Sequence, residues 1–215
     1  MRLMMAGLIG LGAAALAACE TIGGPAMSPA QCSVADWKAL GYQDGAEGRV
    51  PERFVSRQQA CVAAGYGADQ EAYMAGRRDG LWTWCQPDRA FRLGLDGNSY
   101  NGVCPPELDG MFRDAHAEGY RAHTVVAALQ SVESTITSLR NERDDLEHKI
   151  QANQLGLERS ATEEERQRHR NELDRLYSDR GRVENRLRDA ERDRRYRARD
   201  VSELREEIGF RFGSW

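Results

Sequence analysis

The C-terminal half of the chain has a regular three–four spacing of apolar residues and no proline in the 109 residues after Pro106. Proline breaks helices, so its absence permits helices of unusual length. Apolar residues occupy seven of nine positions in a first seam and eight of eleven in a second, a spacing typical of coiled coils. The first seam is Leu129, Val132, Ile136, Leu139, Arg143, Leu146, Ile150, Asn153 and Leu157; the second is Leu173, Leu176, Arg180, Val183, Leu187, Ala190, Arg194, Arg197, Val201, Leu204 and Ile208.

The two seams do not join into one regular coiled coil. Leu157 and Leu173 are 16 residues apart, two more than two heptads, which is not a three- or four-residue insertion. Gly156 can end a helix, and Thr162 with Glu165, or Ser160 with Glu163, can form a capping box. We therefore predict an antiparallel helical hairpin over residues 122–209, in preference to a continuous rod.

A turn near residue 160 would bring the end of the chain back to the base of the hairpin. Residue 124 would then face roughly residue 196, and Val201, Leu204 and Ile208 would run beside Gly119, His116 and Phe112. The tail, residues 210–215, contains Phe210, Phe212 and Trp215, and we expect these aromatics to pack toward Leu108, because exposed aromatic clusters are uncommon. The alternative is a frayed tail.

The first nineteen residues have the pattern of an export signal. One positive charge at Arg2 precedes an apolar run from Leu3 to Ala15, which is too short to span a bilayer permanently. Leu16-Ala17-Ala18-Cys19 resembles the lipobox of bacterial lipoproteins, where the cysteine is acylated. We predict a signal peptide at 1–18, and a lipidated Cys19 with a tether at 19–31, over an ordinary signal peptide. Glu20, rather than Asp, follows the cysteine, which in enterobacterial lipoproteins favours the outer membrane.

Four further cysteines lie in the segment predicted to be exported, where disulfides form. Their spacing contains no CxxC pair, which argues against zinc. Four cysteines allow three pairings, and we favour Cys32–Cys61 with Cys85–Cys104 because sequential short loops are common in small helical domains. The loop from Asp96 to Gly102 has too few acidic ligands for calcium.

Residues 32–121 contain eleven of the sixteen aromatic residues and twelve of the twenty-one glycines. Four phrases combine an aromatic residue with small residues three or four positions apart, which places them on one helix face. Such a bare stripe allows a neighbouring helix or ring to approach closely. We predict short helices at about 34–47, 55–65, 69–83 and 87–95, and therefore an all-α chain in which a small disulfide-bonded bundle precedes the hairpin.

The same region resembles a known family, the proteobacterial lipoproteins grouped as domain of unknown function 2799. The resemblance covers about residues 32–122 and leaves out the long C-terminal half. It implies an envelope lipoprotein with a small cysteine-containing domain and implies no activity. The residues that carry it are Asp36-Trp37, Gly41-Tyr42-Gln-Asp44-Gly45-x-x-Gly48-Arg49, Ala60-Cys61, Tyr73-x-x-Gly76-x-x-x-Gly80-Leu81, Tyr100-x-Gly102-Val103-Cys104-Pro105 and Phe112.

One alternative site would serve cell-wall glycans. Asp44 and Asp79 could form a carboxylate pair beside an aromatic surface of Trp37, Trp82 and Trp84, the groups that glycan chemistry needs. It requires both carboxylates to open into one cleft. The structural alternative, which we favour, pairs the aspartates with arginines and places the tryptophans in the core; the arginines considered are Arg49, Arg77 and Arg78.

The function that these features predict is non-enzymatic. The net charge of −4 argues against nucleic-acid binding, and no motif for a catalytic triad, phosphate loop, metal or other cofactor is present in the sequence. We expect a lipid-anchored outer-membrane lipoprotein, facing the periplasm, whose coiled coil binds an unknown protein or a second copy. The alternative is a peptidoglycan-binding or cell-wall-processing protein.

Overall fold

The computed structural model describes residues 27–215, and every element in this range is a helix. The seven helices are α1 (Pro29–Ser33), α2 (Trp37–Ala46), α3 (Glu52–Ala63), α4 (Gln70–Trp84), α5 (Pro87–Leu95), α6 (Pro106–Arg159) and α7 (Glu163–Phe212). The all-α class and the long C-terminal hairpin are as predicted. Residues 1–26, with the predicted signal peptide and Cys19, lie outside the described residues.

Helix α1 begins at Pro29, within the segment 19–31 that the sequence assigned to the tether, and continues into the disulfide domain. The Ser28 hydroxyl accepts a hydrogen bond from the backbone N–H of Gln31, and the Gln31 side-chain oxygen accepts one from the backbone N–H of Ser28. Pro29 occupies the first turn, where its missing N–H costs nothing. This capping box gives a helix of five residues its start, and the disulfide between Cys32 and Cys61 fastens it to α3, with the two Cα atoms 5.3 Å apart.

Helices α2 and α4 pack with their backbones in direct contact. A Cβ atom added at Gly41 or Gly45 would overlap backbone atoms of α4, and one added at Gly76 or Gly80 would overlap backbone atoms of α2. The contacts on α4 advance from Tyr73 to Leu81 as α2 advances, so the two helices are parallel. The bare stripe predicted from the repeated phrases is therefore a reciprocal helix–helix contact.

Helices α5 and α6 form a second pair of the same kind. Gly94 faces the backbone of α6 at His116, and Gly119 faces the backbone of α5 at Phe91. Gly119 was expected to leave room for apolar side chains of α7. The space beside Gly119 is instead filled by the backbone of α5, and so close a backbone contact requires a residue without a side chain.

Two small cores lie along α4. The first core is built around Phe54, Tyr73 and Trp37 and lies next to the Cys32–Cys61 bridge. Trp84 and Phe112 centre the second, with ring centroids 4.7 Å apart, next to the Cys85–Cys104 bridge. Both disulfides in the structure, Cys32–Cys61 and Cys85–Cys104, are the pairings that we favoured from the sequence.

The hairpin is formed by α6 and α7 and has its own core along the predicted seams. That core is Ile136, Leu139, Leu146, Ile150, Leu173, Leu176, Val183 and Leu187. Thr162 and Glu165 form the capping box that starts α7. Gly156 does not end α6, which continues to Arg159; the ring of His169 lies against Gly156 where a side chain would stand. Helix α6 crosses the predicted boundary at 121/122 without a break.

The end of α7 returns to the base of the hairpin, but in a different register. A turn near residue 160 would place residue 126 opposite Arg194, whereas Arg194 pairs with Glu133 at 3.0 Å, about two helical turns away. Similarly, Arg121 pairs with Glu207 at 2.7 Å. The expected position of Ile208 beside Phe112 is therefore wrong. Ile208 is instead buried with Phe91 and Ala122, because α7 is shifted along α6.

The docked residues of α7 meet α5 as well as α6. Leu204 and Ile208 are buried with Phe91 and Ala122. Phe212 stacks on Phe91, with ring centroids 4.3 Å apart, and also packs on the second core, which contains Leu108. Phe210 departs from the expectation that the tail aromatics are buried, since it is 84% exposed.

Candidate functional site

Asp44 is the buried charge of the first core, with 1% of its surface exposed. The guanidinium of Arg57 donates two hydrogen bonds to its carboxylate, at 2.8 and 3.0 Å, and the Tyr73 hydroxyl donates a third at 2.6 Å. Arg53 lies 3.9 Å away. Burial and the hydrogen bond to Asp44 raise the pKa of the Tyr73 phenol, which keeps this hydroxyl a donor. The carboxylate is thus enclosed by partners from α3 and α4.

Arg77, on α4, is a second buried charged residue of this region. Its guanidinium donates to the backbone carbonyl of Arg49 at 2.7 Å, and its burial lowers its pKa. The bond holds the turn after α2 against α4. The predicted partners of the two aspartates, Asp44 and Asp79, were Arg49, Arg77 and Arg78. Asp44 instead pairs with Arg57 and Arg53, and Asp79 with Lys38. Arg57 could have been found from its spacing, since it lies three residues after Phe54 and four before Cys61, on the buried face of α3.

The alternative glycan site does not form. Asp44 is buried, whereas the side chain of Asp79 is 55% exposed and lies 3.8 Å from the ammonium of Lys38, so the two carboxylates do not share a cleft. Trp37 and Trp84 are buried in separate cores, and Trp82 alone is exposed. A paired-carboxylate mechanism needs both groups at one reacting bond, and this geometry does not provide it.

A second polar cluster stabilises the loop between α5 and α6. The Tyr100 hydroxyl donates to Asp109 at 2.6 Å and accepts from the backbone N–H of Cys104 at 2.9 Å. Arg113 pairs with Asp109 at 2.6 Å and lies over the Tyr100 ring. Burial and the bond to Asp109 raise the pKa of Tyr100 to about 12. Every polar group of this cluster has a partner in the loop or in α6, which indicates a structural role.

Two histidines of α6 bond the end of α5 and the loop that follows it. His116 bonds the carbonyl of Asn98 at 2.8 Å, and His123 bonds that of Leu95 at 3.0 Å. In each bond the ring nitrogen is the donor, because a carbonyl can only accept. Within residues 27–215 no group of three or more His, Cys, Asp or Glu side chains is arranged to hold a metal ion.

The hairpin tip has an open groove of about 700 Å³. His169 bonds the side-chain oxygen of Asn153 at 2.9 Å, and the remaining lining is mainly charged, including Arg159, Arg168 and Arg175. Binding pockets for small molecules are predominantly apolar and concave. The tip is therefore better described as a solvated, charged surface.

Comparison with known proteins shows that part of the chain matches one protein family. Residues 36–121 match the model of a family described as "Protein of unknown function (DUF2799)". The predicted resemblance to this domain of unknown function is thus confirmed over this range, which contains the α2–α4 pair, α5 and the start of α6. No curated protein and no solved structure matches the chain. None of the helices in the described part of the chain is long and apolar enough to cross a membrane.

Proposed function

We propose that this chain, whose residues 36–121 match that family of unknown function, is a lipid-anchored lipoprotein that presents a helical hairpin to protein partners. In this proposal Cys19 carries the acyl chains, the anchor lies in the outer membrane, and the protein faces the periplasm. The proposed role has no catalytic step and no nucleic-acid ligand.

The observation that carries the proposal is the continuity of α6. Its 54 residues extend about 80 Å without interruption, from the second disulfide to the tip of the hairpin. Because the first part of α6 is packed in the second core through Leu108, Phe112 and Ala115, the hairpin cannot pivot freely on the domain. The part of α6 beyond Arg121 is about 57 Å long, and a rigid projection of this length is suited to holding a binding surface away from an anchor.

The surface of the hairpin is charged and internally paired. Cross-helix ion pairs such as Arg140–Glu191 and Arg180–Glu147 join α6 to α7. Pairs of this kind contribute little stability individually but restrict the register of a coiled coil. The apolar seam between α6 and α7 is incomplete, because Arg143, Asn153 and Arg180 occupy three of its positions. A partner helix, from another protein or a second copy, would cover more of this surface.

The lipid anchor is tested by feeding cells a palmitate analogue and measuring the mass of the mature protein. Wild-type protein should incorporate the analogue at Cys19 and fractionate with the outer membrane. The Cys19→Ala variant should remain unlabelled. Labelling elsewhere or none would contradict the proposed anchor.

The interaction role is tested by site-specific photocrosslinking in intact cells. A photoreactive residue at Leu155 or Tyr196, both exposed on the hairpin, should capture a discrete partner, and one at Tyr42, exposed on the domain, serves as the control. If the hairpin positions yield no product beyond that of the control, the hairpin is not the interaction surface. A product with twice the mass of the chain would identify the partner as a second copy.

A further inference from the structure

One end of the disulfide domain collects exposed apolar side chains. Val34, directly after α1, is 80% exposed, and Val62, next to Cys61, is 60% exposed. The Cys32–Cys61 bridge holds their two segments together. Tyr66 is also exposed, and its backbone N–H bonds the carbonyl of Cys61 at 2.9 Å. Three apolar side chains exposed around one disulfide are unusual for a surface that faces only water.

A groove of about 290 Å³ opens at the same end of the domain. Its apolar lining is Met27, Val34, Ala35, Ala39 and Leu40. The described chain begins at Met27, so the groove lies at the point where the preceding segment joins the domain.

The two charged residues that line the groove are already engaged. Asp36 caps α2 by accepting a hydrogen bond from the backbone of Ala39 at 2.9 Å, and Arg57 binds the buried carboxylate of Asp44. The groove therefore has no free charge to attract an ionic ligand.

The distance to the proposed lipid is short. Met27 is eight residues after Cys19, and a fully extended chain of that length reaches at most about 29 Å. Because α2 and α4 are parallel, this end also contains the N-terminus of α4, whereas the second core lies at the C-terminal end of α4, about 21 Å away. The base of the hairpin is therefore at the end of the domain remote from Met27.

We propose that this end, defined by Val34, Val62, Tyr66 and the groove beside Met27, rests on the phospholipid surface of the membrane. The proposal rests on the lipidation of Cys19 proposed above, which keeps the surface within reach. Apolar side chains would enter the interface between headgroups and acyl chains. Since no free charge takes part, the contact should be insensitive to ionic strength, unlike one made by basic residues.

The test uses the complete mature lipoprotein in vesicles of phosphatidylethanolamine and phosphatidylcholine, with a small fraction of the phosphatidylcholine carrying a diazirine in its acyl chain. After irradiation, the labelled peptides are identified by mass spectrometry. We expect label in the peptides around residues 27–36 and 61–66, at equal yield in low and high salt. The hairpin peptides around Leu155 and Tyr196, which also expose apolar surface, should not be labelled.

A double variant, Val34→Ser with Val62→Ser, should reduce this labelling several-fold while the protein still floats with the vesicles. Both positions are exposed, so folding should be unaffected, and the matched control Leu155→Ser should leave the labelling unchanged. Label confined to residues 19–26, label on the hairpin, or crosslinks between two copies would overturn the membrane contact and leave the lipoprotein proposal intact. Failure of the wild type to float would overturn both.

Discussion

A carboxylate that is almost fully buried is tolerated in a fold only when its charge is balanced and its oxygens are hydrogen-bonded. Asp44 meets both conditions through Arg57 and Tyr73. At the residue scale this cluster joins three helices, since Asp44 lies on α2, Arg57 on α3 and Tyr73 on α4. Its position between helices, rather than at an open cleft, makes stability the property that its mutation should affect.

Arg57→Gln should lower the free energy of unfolding by about 3–5 kcal/mol, because it leaves a buried carboxylate without its main counter-charge. Chemical denaturation of the purified domain with its hairpin measures this change. Lys38→Gln is the matched control: it removes a cation from the exposed Asp79 pair and should change stability by less than about 1 kcal/mol. Equal effects of the two variants would show that Asp44 is not held as described.

Gly76→Ala should destabilise the protein by about 3 kcal/mol, since the added methyl group would overlap the carbonyl of Lys38 and separate α2 from α4. Gly181→Ala, in α7 with open space around it, should instead stabilise by about 1 kcal/mol through helix propensity. Thermal unfolding of the two variants distinguishes these signs. A neutral Gly76→Ala would contradict the backbone contact.

At the scale of the element, α1 shows how a helix too short to form alone is retained. Five residues cannot offset the cost of helix nucleation, and the capping box at Ser28 and Gln31 compensates for only part of it. The Cys32–Cys61 disulfide supplies the remaining restraint by tying α1 to α3. The Asp69 side chain starts α4 in a similar local way, by accepting from the backbone of Ala72 at 2.9 Å.

Replacing Cys32 and Cys61 together with serine should release α1 and lower the free energy of unfolding by about 3.5 kcal/mol, the effect expected for a loop closed between residues 29 positions apart. Hydrogen exchange should rise across residues 29–33 and remain unchanged in the hairpin core around Ile150. Exchange that stays slow in α1 would show that packing alone holds it.

Alkylation of the unreduced wild type should label none of the four cysteines of residues 27–215.

Much of the helical architecture follows from periodicity. The spacing of Leu139, Leu146 and Val183 fixes the buried faces of the hairpin, and Thr162 with Glu165 fixes the start of α7. The register does not follow, because ion pairs such as Arg194–Glu133 depend on how two long helices cross. Spacing alone places Arg57 on the buried face of α3, but its pairing with Asp44, thirteen positions earlier, depends on how α3 folds back over α2.

At the scale of the whole molecule, the C-terminus closes the structure. Phe212 and Trp215 pack on Phe91 of α5, so the last residues of the chain hold α5 against the long helices. Phe212 packs both on the second core and beside Leu204 and Ile208, so the chain end connects the second core with the base of the hairpin.

Phe212→Ala should cost about 1–3 kcal/mol, since it removes a partly buried ring stacked on Phe91. Hydrogen exchange should accelerate over the last turns of α7 in the same variant. Phe210→Ala is a close control, because Phe210 is two residues away and exposed, and it should leave both measurements unchanged. If the two variants behave alike, the docked tail does not contribute to stability.

The return of α7 to the base also determines where a reporter attached to this protein would be located. A fluorescent protein fused after Trp215 would report from beside the disulfide domain, although it follows the longest helices in sequence. A small tag inserted at residues 160–162 would instead lie at the far end of the hairpin, about 57 Å along α6 from Arg121. The separation of the two reporters would measure how far the tip of the hairpin lies from the disulfide domain.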